Sequence, residues 1–238
     1  MSNIFDALEQ ARRERHKDDP LLPDVGGVGS TPPNKAGADS VTDAEIVGMF
    51  ARIQEGLNAG GWIMQLISSQ AGEGVSSVTE RFAKVSSELQ NQNVLVVKLG
   101  DGPQTDRQLN SYSRWHEISE NNEVPVRQPQ SKGVLTEVRV LFEDCIKQLK
   151  KDPNLANRLK THYDIVFFDS PSIEVEPHSV ELTRYADVVV IVLESEKTKA
   201  FALQSLKEKI THNSDALLGV VLNKRCFHIP CGLYSKLH

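Results

Sequence analysis

The run Ile67-Ser68-Ser69-Gln70-Ala71-Gly72-Glu73-Gly74-Val75-Ser76-Ser77 joins an apolar segment to a helical pattern through two glycines. Upstream, Trp62-Ile63-Met64-Gln65-Leu66-Ile67 reads as a buried strand; downstream, Ser76 to Gln90 reads as a helix. Strand, glycine turn and helix together are the layout of a phosphate-binding loop. Gly72 and Gly74 let backbone N–H groups approach phosphate oxygens, and the helix start behind them adds a positive dipole end. Ser76 and Ser77 follow as the hydroxyl residues of a residual nucleotide site. The residue after the last glycine should be Lys, which reaches the β- and γ-phosphates. Here it is Val75. The frame of a nucleotide site is present without its main cation.

The surrounding sequence repeats the alternation of strand and helix. Thr42-Asp43-Ala44-Glu45 is a capping box that opens a helix with Ile46, Met49, Phe50, Ile53 and Leu57 on one face. Val94-Leu95-Val96-Val97 is the strand after the loop helix, with Lys98-Leu99-Gly100-Asp101-Gly102-Pro103 as its exit. Residues 104–132 are polar and weakly patterned. Val134 to Leu149 is expected to be helical through Val138, Leu141, Phe142, Ile146 and Leu149, with a second short helix after Pro153. Tyr163-Asp164-Ile165-Val166-Phe167-Phe168-Asp169 is a buried strand ending in an acid, the pattern of a Walker B strand whose Asp holds Mg²⁺ or its water. A helical stretch over 178–185, a strand over 187–193, a helix over 198–211 and a last strand over 217–224 complete the domain. Continuous apolar strands between helices predict a three-layer α/β/α P-loop fold with a mainly parallel sheet and a ligand at the strands' carboxyl ends.

Four parts are expected: an amphipathic segment over 1–17, a flexible linker over 18–41, the P-loop domain over 42–226 and a tail over 227–238. Ile4, Phe5 and Leu8 give the first segment an apolar face followed by Arg12, Arg13 and Arg15. It reads as a helix docked on its own chain or on a partner, with membrane association indirect. The linker is set by Pro20, Pro23, Pro32 and Pro33 among glycines. The 238 residues carry a net charge of −5, which excludes the basic surface of a general nucleic-acid binder. No apolar run approaches the roughly 18–20 residues of a membrane span, and no signal peptide opens the chain, so a cytoplasmic location is expected. Three cysteines make a disulfide framework unsuited, and Cys226, His228 and Cys231 do not have a common zinc spacing.

Taken together, Ser68 to Gly74, Tyr163 to Pro171 and Leu218-Gly219-Val220-Val221-Leu222-Asn223-Lys224 resemble the cytoplasmic kinase domain of bacterial tyrosine kinases of capsule and exopolysaccharide systems, within the MinD/ParA-like P-loop proteins. The opening Ser2 to Leu8 with its basic continuation is similar to the N-termini of family members encoded with exopolysaccharide machinery. The departures from the family pattern bear on activity. Val75 replaces the loop Lys; Lys98-Leu99-Gly100 stands where the family has a second acidic motif, with Asp101 one position late. Gly48, Ala51 and Gln54 stand where the family carries a Glu-x-x-Arg-x-x-Arg ring motif, and Tyr234 alone stands for a tyrosine cluster. Ser76 and Asp169 match the Mg²⁺-linked positions. Glu73 brings a negative charge to the loop without the neighbouring Lys.

The resemblance, with these departures, implies a catalytically inactive tyrosine-kinase-like scaffold or regulator with no catalytic residue and no cofactor. Its partner would be the cytoplasmic part of a membrane polysaccharide co-polymerase or export protein, which would recruit it to the inner membrane. The competing reading is an atypical ATPase or tyrosine kinase that binds ATP and Mg²⁺ through Gly72, Gly74, Ser76, Ser77 and Asp169. A nucleotide-driven membrane-surface switch is a third reading, weakened by the loss of the same site. Three readings of Lys98 follow: it points to solvent, it fills the site by pairing with Asp169, or it replaces the loop cation. The pair would make both Lys98→Ala and Asp169→Ala destabilising.

Overall fold

In the computed structural model, which describes residues 41–57, 60–100, 115–119 and 133–225, six strands form one sheet in which every neighbouring pair is parallel. The strands are β1 (Trp62–Ser68), β2 (Val94–Gly100), β3 (Leu135–Leu141), β4 (Ile165–Asp169), β5 (Val188–Glu194) and β6 (Leu217–Asn223), in the order β3-β2-β4-β1-β5-β6. The helices are α1 (Asp43–Gly56), α2 (Val75–Lys84), α3 (Phe142–Lys151), α4 (Leu155–His162) and α5 (Ala200–Asn213), and Pro177–Tyr185 is a 3₁₀ helix. The three-layer α/β/α expectation holds, and the described sheet is parallel throughout. The segment 1–17, the linker except Val41, Cys226 at the end of the domain, and the tail with His228, Cys231 and Tyr234 lie outside the described residues.

Period-2 alternation in the strands sorts side chains to the two faces. Trp62, Met64 and Leu66 of β1, Ile165 and Phe167 of β4, and Val188, Val190 and Val192 of β5 pack with Ile46, Phe50 and Ile53 of α1 and with Val78 and Phe82 of α2. Ile63 and Ile67, Val166 and Phe168, and Val189, Ile191 and Leu193 face the other way, toward α3, α4, α5 and the 3₁₀ helix. Both faces are therefore apolar, which is why the central strands read as continuous hydrophobic runs. The same alternation places Lys98 of β2 and Asp169 of β4 side by side on the α2 face, in register across the two strands.

One expected element is different. Val134–Leu149 is not one helix: Leu135–Leu141 is edge strand β3, paired with β2 from Val94↔Leu135 to Gly100↔Leu141, and only Phe142–Lys151 is helical. Thr136, Val138 and Val140 are buried while Leu135 and Glu137 are exposed, a period of two. Val138, Leu141 and Phe142 also fit helical spacing, so the segment satisfies both periods and the free edge of β2 decides between them. The helix expected over Ser76–Gln90 runs as α2 to Lys84 and then widens into a π turn over Val85–Leu89. Buried Trp115 falls in the short helical turn 115–119 and belongs to the core.

At the entry to α1, Thr42 N–H donates to Glu45 Oε2 at 2.8 Å and Glu45 N–H donates to Thr42 Oγ1 at 3.3 Å, completing the capping box. The Thr42 backbone N–H, and then Arg225 across the fold, hold the Glu45 carboxyl well below its usual range, at about 2.

Candidate functional site

The carboxyl ends of β1, β4, β5 and β6 converge on the loop between β1 and α2. Gly72 and Gly74 both take positive φ, +82° and +93°. A Cβ on Gly74 would also overlap Asn223 Nδ2, so the Asn223 side chain would have to shift to admit one, in addition to the demand of the positive φ. Gly74 is the N-cap of α2 and has no side-chain cap, leaving the first N–H groups of the helix directed out of the turn. The backbone thus has the form of an anion cradle.

The side chains around it differ from those of a triphosphate site. Val75 is buried and packed in the apolar cluster of α1, α2 and the sheet. The position where a phosphate loop carries its Lys has been drawn into the core. Glu73 is also buried; its Oε2 accepts from Gln70 N–H at 2.8 Å and from Ser69 Oγ at 3.2 Å, and its Oε1 accepts from the Thr198 hydroxyl. Glu174, from the turn after β4, accepts the Ala71 N–H at 2.9 Å. Two loop N–H groups therefore already hold carboxylates.

Ser76 and Asp169, the two positions that match the Mg²⁺-linked pattern, lie together: Ser76 Oγ donates to Asp169 Oδ1 at 3.1 Å. Burial pushes the Asp169 carboxyl up to about 6, against the opposing pull of the Ser76 hydrogen bond and the Lys98 charge. Ser77, one residue on, is exposed and borders a cleft of about 70 Å³ with Ile46, Phe82 and Asn223.

Lys98 neither points freely to solvent nor pairs with Asp169. Its Nζ binds Glu80 Oε1 of α2 at 2.7 Å and Glu137 Oε1 of β3 at 3.0 Å, with its side chain 12% exposed. Burial pulls the Lys98 ammonium down, but the two glutamates outweigh it and the net direction is up. β3 is the reason the expectation fails: the edge strand that the sequence reading takes as helix supplies Glu137 beside Lys98. The cation is held by two carboxylates and does not replace the loop Lys.

Sequence reasoning missed Asn223, Lys224, Glu194, Thr198 and Glu174 as loop neighbours. Asn223 Nδ2 donates to Glu73 O at 3.0 Å. Lys224, at φ +53°, donates to Gly72 O at 2.6 Å and to Glu194 Oε2 at 3.1 Å. The available signal was general: in a parallel sheet the residues ending each strand gather at one edge. The grouping itself needed the strand order. Gln65 of β1 supports the site from below, donating through Nε2 to Ser170 Oγ at 3.0 Å and Ser179 O at 2.8 Å.

The residues present fit a bound Mg²⁺-nucleotide only in part. Ser76 and Asp169 suit a metal and its water, and the glycines suit phosphate oxygens. Val75, the Lys98–Glu80–Glu137 group and the carboxylates of Glu73 and Glu174 do not supply the positive field that phosphoryl transfer requires. Among the described residues no group of three or more His, Cys, Asp or Glu forms a metal site, and no helix is long and apolar enough to cross a membrane.

A parallel sheet with helices on both faces and a glycine loop between β1 and α2 is a three-layer α/β P-loop-like fold. More narrowly, it is similar in fold to solved tyrosine-kinase domains. The kinase domain of Escherichia coli tyrosine kinase ETK is similar at TM-score 0.60 and 16% identity, over 79% of this chain and 77% of that one. The chimerical protein CapA2B2 is similar at TM-score 0.59 and 18% identity, over 77% and 85% of the two chains. The VpsO kinase domain is similar at TM-score 0.56 and 18% identity, over 78% and 95%. At these identities the likeness is one of fold. No family profile and no curated protein sequence matches the chain.

Proposed function

We propose that this chain is a kinase-fold interaction protein of bacterial exopolysaccharide or capsule synthesis and export, in which the fold is kept for its surfaces and phosphoryl transfer is absent. The observation that carries this reading is Val75: the position of the loop cation belongs to the apolar core. Phosphoryl transfer is mostly positioning plus charge stabilisation, and removing one charge-assisted hydrogen bond costs about 1.5–3 kcal/mol in binding. Lys98 offers no compensation, because Glu80 and Glu137 already hold it. The partner is the cytoplasmic part of a membrane co-polymerase or export protein, engaged through the N-terminal segment and the carboxyl edge of the sheet. That partner recruits the protein to the inner membrane. Pathway and partner rest on the resemblance set out above.

The test has two parts. Calorimetric titration of the full chain with Mg²⁺-ATP and Mg²⁺-ADP is expected to give no micromolar binding, and assays for phosphate release and phosphotyrosine are expected to be blank. Polysaccharide output is expected to persist when Ser76→Ala and Asp169→Asn are combined. Loss of output at normal protein level would overturn the interaction reading.

A second reading, an atypical nucleotide-binding ATPase or kinase, is supported by one observation. Ser76 and Asp169 keep hydrogen-bond contact at the place of a phosphate-linked metal, and Asp169 is buried there despite its charge. Under this reading ATP and Mg²⁺ bind at Gly72, Gly74, Ser76 and Asp169, and the double variant abolishes both binding and output.

A further inference from the structure

The two edges of the sheet are built differently. Edge strand β3 carries charge: Glu137 and Arg139 are both part-exposed, and charged side chains are a device that keeps an edge from pairing with another chain. β6 lacks that device. From Leu217 to Asn223 it holds no charged residue and no proline, and Leu217, Val220 and Leu222 are exposed. An apolar edge of this kind is a template for a further strand.

The backbone direction of β6 fixes which groups the edge offers. Leu217 N–H donates to Asp187 O at 2.9 Å and Ser195 N–H donates to Asn223 O at 2.9 Å, so the odd-numbered residues of β6 face β5. The N–H and C=O of one residue point to the same side of a strand, which turns those of Leu218, Val220 and Leu222 to the open edge. Among the described residues no strand pairs there. The side chains of these three share a face with Val189, Ile191 and Leu193, their neighbours in register, and Val220 and Leu222 stay exposed on it.

We infer that β6 is a self-association edge, on which a second copy of this chain lays its own β6 antiparallel about a two-fold axis at Val220. In this register β6 matches itself from Leu217 to Asn223. Val220 meets Val220 and Leu218 meets Leu222, each as a pair that exchanges two backbone hydrogen bonds. A slip of one residue would oppose outward groups to inward ones and reverse the faces. The strand's ends are complementary in charge. Exposed Asp215 leads into β6, while Lys224 and Arg225 leave it, so the antiparallel arrangement brings each acid toward the other copy's cations. Glu194 and Glu45 hold these cations within the chain, and both cations remain part-exposed. A two-fold contact uses the same edge on both copies and therefore closes at a dimer. The inference does not depend on whether the glycine loop binds nucleotide.

Sedimentation velocity of the full chain, from low to high micromolar protein, tests the edge in wild type, Val220→Lys, Asp215→Lys and Leu135→Lys. Wild type is expected to reach a dimer and stop there. Val220→Lys sets two ammonium groups opposite one another at the axis and should weaken the dimer at least tenfold. Asp215→Lys should weaken it by less, and more strongly at low salt. Leu135→Lys puts the same charge on an exposed residue of the β3 edge and should match wild type. If circular dichroism shows Val220→Lys unfolded, Leu222→Lys carries the same expectation. Hydrogen exchange gives a second readout: the amides of Leu218, Val220 and Leu222 should lose protection on dilution, while those of Gly219 and Val221, which face β5, keep it. A monomer at every concentration overturns the inference, as does a dimer indifferent to Val220→Lys or equally weakened by Leu135→Lys. Protection of the three outward amides that survives dilution to monomer also overturns it, because another part of the same chain would then cover the edge.

Discussion

Replacing Asp169 with Asn removes one buried charge and nearly preserves shape, and Asn can still accept the Ser76 hydroxyl. Burial raises the Asp169 carboxyl from its ordinary value of 3.8 to about 6, so in the folded state the proton is held to higher pH than in the unfolded chain. Between those values the folded state binds more protons, and stability falls as pH rises. The contribution is fully present below about pH 4 and is lost by the time pH has passed about 6, as the folded group ionises. The loss amounts to about 3 kcal/mol, at roughly 1.4 kcal/mol per pH unit. Asp169→Asn and wild type should therefore have similar stability near pH 4. The variant should become more stable by about 3 kcal/mol at pH 7.5, worth roughly 6–12 °C in Tm for a chain of this size. Urea unfolding followed by circular dichroism, at steps from pH 4 to 7.5, measures the difference. Groups held low in the folded state, such as Glu45, Asp152 and Glu194, give the opposite slope, but both proteins share them. A difference that stays constant across pH, or a variant less stable at pH 7.5, would refute the reasoning. The latter is the outcome the Lys98–Asp169 pair would have produced.

Three further outcomes follow from the geometry. Gly72→Ala and Gly74→Ala should both destabilise through positive φ, by about 1–2 kcal/mol, but Gly74→Ala should cost more because its Cβ would displace Asn223, whereas the space around Gly72 is open; thermal melts rank them. Lys98→Met should raise the pH at which Asp169 ionises, since the Lys98 charge now holds that carboxyl down, and carboxyl-carbon NMR reads the direction. Thr42→Ala should remove the capping box and cost about 1 kcal/mol in urea unfolding, as loss of such a cap does.

Much of the fold was legible because both of its periods are written plainly. Strands buried on two faces leave continuous apolar runs, as in Val188 to Leu193, and Thr42 with Glu45 marks a helix start within four residues. Leu135–Leu141 was not legible, because an edge strand shows only one buried face and Val138, Leu141 and Phe142 also fit a helix. The error carried into the site. With β3 read as helix, Glu137 had no place beside Lys98, and Lys98 was left open to pair with Asp169.

By itself the sequence determined the glycine loop, the strand and helix alternation and the absence of a Lys at position 75. These are local patterns or substitutions at a position counted from a motif. The tertiary structure decided what those groups touch. Val75 lies in the core because α2 turns that residue toward α1 and the sheet. Lys98 is held by Glu80 and Glu137 because β2 runs between β3 and β4, beneath α2. Glu174, Asn223 and Lys224 reach the loop from roughly 100 to 150 residues away in sequence because parallel strands end at one edge. Contacts of that span depend on strand order, and strand order is settled by how the whole chain buries its apolar faces.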